Sequence, residues 1–179
     1  MSQDLVKLFE WTAETLFYAT GNIVVAAADD SIAIAGIGTA SPAGTRLVCA
    51  SSEDVANDGT HVVSSISGAD KVLTGSVLTG NADDDSMVIR GETPGGFVDV
   101  SAYSRIVGIV NSDKDVTVNV VWSTDAAGTT TVTAATAVTG GTPASIASEI
   151  LGKYVRVRVV NNDTATATMS GMIYAKALT

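Results

Sequence analysis

The chain has 179 residues, 46% of them hydrophobic, which is enough for one sizeable core or two small ones. Ten Lys and Arg stand against 19 Asp and Glu, a net charge of −9, so a phosphate backbone is repelled and no direct nucleic-acid partner is expected. The single cysteine, Cys49 in an apolar stretch, permits no internal disulfide and reads as a buried thiol, while the longest compact apolar run, Ile23 to Ala28, is far short of the ~20 residues of a membrane-spanning helix.

Residues 1–21 differ in composition from the rest of the chain. Leu5, Leu8, Phe9, Trp11, Leu16, Phe17 and Tyr18 concentrate much of the aromatic content before the composition breaks at Thr20-Gly21-Asn22. The segment reads as a strand or helix covering the first domain, or as an extended arm docking on a neighbouring subunit. Asp4, Glu10 and Glu14 replace the basic region of a signal peptide, and Ala26-Ala27-Ala28 makes a poor cleavage site.

Residues 22–91 alternate short β-branched runs with turn signals, as in a small barrel or sandwich. Strands are predicted at 22–27, 31–36, 45–50, 60–66, 70–74 and 86–90. Asp83, Asp84 and Asp85 read as a solvated turn; adjacent carboxylates converge poorly on one calcium ion, whose loops space their oxygen ligands at alternate positions. Gly91-Glu92-Thr93-Pro94-Gly95-Gly96 supplies no core residue and is taken as the boundary before a second β-sandwich domain at 97–179.

In that second half Val116, Val118, Val120 and Trp122 share one parity, which makes Trp122 a core residue rather than a sugar-stacking platform. Val155, Val157 and Val159 alternate with Tyr154, Arg156 and Arg158. Further strands are expected near 97–100, 104–111 and 129–137. Ser145–Leu151 reads as one helical turn or a loop, and 153–175 as a hairpin turning at Asn161-Asn162-Asp163. The fold class is therefore all-β.

Catalytic equipment is sparse. His61 is the lone histidine and reads as a polar strand residue, with no partners for a Ser-His-Asp triad or a zinc site. No nucleophile elbow, P-loop or dinucleotide fingerprint is present. The expectation is a non-enzyme with no cofactor and no metal. The residues expected to bind a partner are Leu5, Leu8, Phe9, Trp11, Phe17 and Tyr18 of the N-terminal segment, with Arg156 and Arg158, whose ordinary alternative is pairing with local carboxylates.

Two stretches carry a family resemblance. Ser31-Ile32, Arg46-Leu47-Val48, the Asn57-Asp58-Gly59-Thr60 turn running into His61–Ile66, Val72-Leu73-Thr74 and Met87-Val88-Ile89 resemble a small β domain of tailed-phage virion proteins. Val118–Asp125 followed by Tyr154–Asn161 is similar to a β-sandwich module of phage head and tail proteins. The resemblance implies a virion structural protein assembled in the host cytoplasm, in first place a capsid decoration or cement protein. Its partners would be the major capsid protein or other virion proteins, with self-association as a trimer or other homo-oligomer, and no membrane. The alternatives are a tail, adaptor or fibre-associated protein, or from another class a bacterial extracellular adhesin or glycan-binding module.

Overall fold

The computed structural model describes residues 5–177, and nearly all of its regular structure is β. In chain order the strands begin with β1 (Leu5–Leu16), β2 (Tyr18–Thr20), β3 (Ile23–Ala26) and β4 (Ser31–Ala33), followed by a one-turn helix, α1 (Ile37–Ala40). Next come β5 (Arg46–Ala50), β6 (Gly59–Ile66), β7 (Lys71–Thr74), β8 (Asn81–Asp84) and β9 (Val88–Glu92). The chain continues through β10 (Val98–Asp99), β11 (Tyr103–Ser112), β12 (Val116–Ser123) and β13 (Thr131–Val138). It ends with β14 (Ala144–Glu149), β15 (Tyr154–Asn161) and β16 (Ala167–Ala177).

The chain divides into two compact units that interleave along the sequence. The first takes Met1–Glu14, Gly95–Val160 and Thr168–Thr179; the second takes Thr15–Pro94 and Asn161–Ala167. The division at Pro94 falls inside the Gly91–Gly96 stretch. That stretch is not devoid of core residues, however: Gly91 belongs to β9, and Glu92 and Thr93 are fully buried.

In the second unit a continuous path runs β2-β9-β5-β6-β7-β4-β3-β8, with antiparallel pairing at every step. Ile23, Val25, Ile32, Leu47, Cys49, Val63, Val72 and Ile89, drawn from strands all along that path, belong to one core cluster. A sheet whose strands all feed one core must curl around it, as a small barrel does. Two glycines permit close approaches that no side chain would. A Cβ on Gly38 would lie 2.0 Å from the Gly68 carbonyl oxygen, and one on Gly91 would lie 2.5 Å from the Phe17 nitrogen. Strand β4 stops at Ala33, short of the predicted 36, because Gly36 at φ 80° turns the chain into α1.

In the first unit one sheet has the order β1-β16-β11-β14, and the other contains β13-β12-β15 with β10 on β15. Their inward faces are apolar: Ile106, Val110, Ile146, Met169 and Ile173 from one, Val116, Val118, Val120, Trp122, Val155 and Val157 from the other, all buried. Burying a Val, Ile or Leu side chain contributes about 1.5–3 kcal/mol, so the parity in the sequence is what stabilises the sandwich.

Three expectations are corrected. The N-terminal segment is a strand, one of the forms expected for it, but most of it joins the second half of the chain instead of covering the first domain: β1 is a 12-residue strand bonded to β16, and the Ala13 amide donates to the Ser170 hydroxyl at 3.0 Å. Residues 144–149 are a full strand paired with β11, because Ile146 alternates with small polar neighbours and faces the core opposite Gly108. Nor is 153–175 a hairpin, since β15 and β16 lie in different sheets. The Asn161 side-chain amide donates to the Leu16 and Ala165 carbonyls, each at 2.8 Å, and this shapes a crossover rather than a tight turn.

Candidate docking surface

Strand β11 is apolar on both parities. Ile106 and Val110 point inward, while Val107 and Ile109 occupy the outer face, where Ile109 sits opposite Met172 of β16 and Val107 opposite Tyr174. Ile109 and Met172 are 60% and 45% exposed, so two large apolar side chains meet solvent side by side. Beside them lies an open groove of about 410 Å³, lined by Trp11, Thr12, Ile109, Asn111, Ser170 and Met172 with the charged Glu10 at its side, most of its surface apolar. Grooves of this kind take an apolar side chain or segment from a partner.

Trp11 forms one wall. It is 6% exposed and stacks on Phe9, their ring centroids 6.0 Å apart and their planes 8° from parallel. Leu8 and Phe9 are half-buried, Leu5 is exposed, and Lys7 pairs with Glu10 on the strand surface. Of the eight residues expected to bind a partner, then, Trp11 is the one that lines the groove. Phe17 instead belongs to the core of the second unit, and Tyr18 lies half-buried under the Arg90 guanidinium, 5.2 Å from its ring centroid. Arg156 and Arg158 are half-buried on β15 between the fully buried Val155, Val157 and Val159. Ile109, Asn111, Ser170 and Met172 were not anticipated; the double-parity run Ile106-Val107-Gly108-Ile109-Val110 was the signal available.

The charge is divided unequally. Thr15–Pro94 with Asn161–Ala167 contains 11 Asp and Glu against three Lys and Arg, whereas the other unit has eight against seven. The groove therefore lies on the near-neutral unit.

In the acidic unit several carboxylates are structural. Asp84, expected in a solvated turn, is fully buried and accepts hydrogen bonds from the Ser52 hydroxyl at 2.5 Å, the Met87 amide at 2.9 Å and the Glu53 amide. Its burial acts to raise the carboxyl pKa, but those bonds outweigh it and hold the group below the usual aspartate value. Asp85 accepts from the Asn22 amide at 3.4 Å. No group of three or more metal-ligating side chains occurs among the described residues. His61 is buried in β6 with its Nε2 2.8 Å from the Asn57 carbonyl oxygen. Asn57 in turn brackets Thr79, accepting from its amide and donating to its carbonyl. Cys49 is core, its thiol pushed up to about 12 by burial and then by the nearby Asp58 and Asp84 charges.

Among the described residues no helix is long and apolar enough to cross a membrane. Residues 90–175 match a family described as "Uncharacterised protein YqxG N-terminal domain". That match is compatible with a phage-related chain and carries no assigned role. No curated protein matches the chain.

Proposed function

We propose that this chain is a non-enzymatic virion structural protein that decorates an assembled phage head, docking through the outer face of the β1-β16-β11-β14 sheet. The observation that carries this reading is the open apolar groove between Trp11, Ile109 and Met172 on the near-neutral unit. An apolar patch exposed on a folded domain marks an interaction site, and repetition over a symmetric shell lets a modest contact suffice. Stabilisation arises by mass action, because a protein that binds the assembled state shifts assembly toward it. The resemblance of 31–90 and 118–161 to phage β modules points the same way, and the family match over 90–175 is compatible with it.

The test is co-expression with the virion proteins encoded beside it, then sedimentation and cryo-microscopy of the particles. The chain is expected on the head in symmetric copies, with Met172→Asp removing it while the isolated variant stays folded. Density on the tail would replace this reading with an adaptor or fibre role. Saturable binding on a glycan array without particle binding would overturn it in favour of an adhesin.

A further inference from the structure

Sheet ends expose unpaired backbone groups, and folded proteins protect them with charge, bulges or brevity. Among the described residues the other sheet ends obey this rule. Strand β1 carries Lys7, Glu10 and Glu14 and has a positive φ at Ala13; β14 ends in Glu149, and β8 is Asn-Ala-Asp-Asp. Strands β2 and β10 have three and two residues.

Strand β13 breaks the rule. It is eight residues long, reads Thr-Val-Thr-Ala-Ala-Thr-Ala-Val, and contains no charge, proline or glycine. It pairs with β12 along its whole length and ends its sheet, so its other edge has no strand beside it among the described residues. All its residues but Thr136 and Val138 are exposed, and Val132 is 58% exposed beside Leu151 at 62%.

From this we propose that β13 pairs antiparallel with β13 of a second copy of this chain, joining two sheets across a two-fold axis. The choice of occupant rests on charge and on parity. Two chains of net charge −9 repel over most of their surfaces, and the uncharged edge of the near-neutral unit is where their backbones can meet without that cost. In a two-fold antiparallel pair, facing residues must have the same parity. A register centred on Ala135 satisfies this and sets Ala135 opposite its own counterpart, with Ala134 opposite Thr136 and the exposed Thr133 opposite the exposed Ala137. The contact is isologous and closes as a dimer instead of growing into a fibre. It uses a different strand from the groove, and it stands whether or not the chain is a head protein.

The experiment is sedimentation velocity across a concentration series with the whole chain, Ala135→Lys, Ala135→Glu and a mixture of the two variants. Wild type is expected to reach twice the 18.1 kDa chain mass. Each variant alone places like charges opposite one another at the two-fold and should weaken pairing by about fivefold, while the mixture regains it. Circular dichroism of each variant checks that the sheets persist. A chain that stays monomeric throughout overturns the proposal. So does an oligomer whose strength ignores both variants, including one formed by an extended segment from elsewhere in the chain.

Discussion

Arg46 donates from Nε to Oε1 of Glu92 at 2.9 Å across the β5–β9 pair, where the two residues are register partners and Glu92 is fully buried. A buried carboxylate deprived of its cation costs far more than the intact pair contributes, because the desolvated charge stays behind. Arg46→Met is expected to destabilise the second unit by about 3 kcal/mol in urea denaturation. The double variant Arg46→Met/Glu92→Leu should recover most of that loss. A single variant as stable as wild type would show that the pair contributes nothing.

Asp84 gives the same unit a dependence on acid. Burial acts to raise its carboxyl pKa, yet the group titrates below the ordinary aspartate value of about 3.9 because the Ser52, Met87 and Glu53 donors favour the charged form more strongly. With the folded pKa depressed, the contribution is complete well above that value and is lost as pH falls through the folded pKa. Melting temperature should thus drop on acidification below about pH 4, and the drop should be shallower in Asp84→Asn. At neutral pH that variant should lose about 2 kcal/mol, since the Met87 amide is left with a poorer acceptor in a dry site.

At Gly91 the backbone of β9 passes so close to Leu16 and Phe17 that an added Cβ would meet the Phe17 nitrogen at 2.5 Å and the Leu16 carbonyl carbon at 3.0 Å. Those neighbours are main chain and cannot rotate aside. Gly91→Ala is expected to cost about 2 kcal/mol, read as an earlier denaturant midpoint. Gly96, whose Cβ would meet nothing within 4 Å, is the control, and Gly96→Ala should stay within about 0.5 kcal/mol of wild type.

The all-β class was legible because β-branched residues alternate over short windows, most clearly at Val116–Trp122 and Val155–Val159, where parity alone assigns the buried face. What escaped was anything set by residues distant in the chain. Residues 144–149 lack a long apolar run, and only pairing with β11 makes them a strand. Asp84 looks like its neighbours Asp83 and Asp85 until Ser52 and Glu53, some thirty positions earlier, fold over it. Gly91 reads as a linker glycine because nothing local announces that Phe17 will press against it. The N-terminal segment is conspicuous for its aromatic content, yet its residues divide: Trp11 lines the groove while Phe17 fills a core. The groove itself needed β1, β11 and β16 together, and no local pattern could name that combination.

The pairing of β1 with β16 also fixes an order of events. The Ala13–Ser170 bond joins positions 157 residues apart, so β1 leaves the ribosome long before its partner β16. Almost all of the acidic unit, Thr15–Pro94, emerges in the interval and can reach its core early, whereas the unit bearing the groove closes only once β16 has been made. In that interval β1 is an orphan edge rich in leucine and aromatic side chains, and the nascent protein is most exposed to mispairing until β16 arrives.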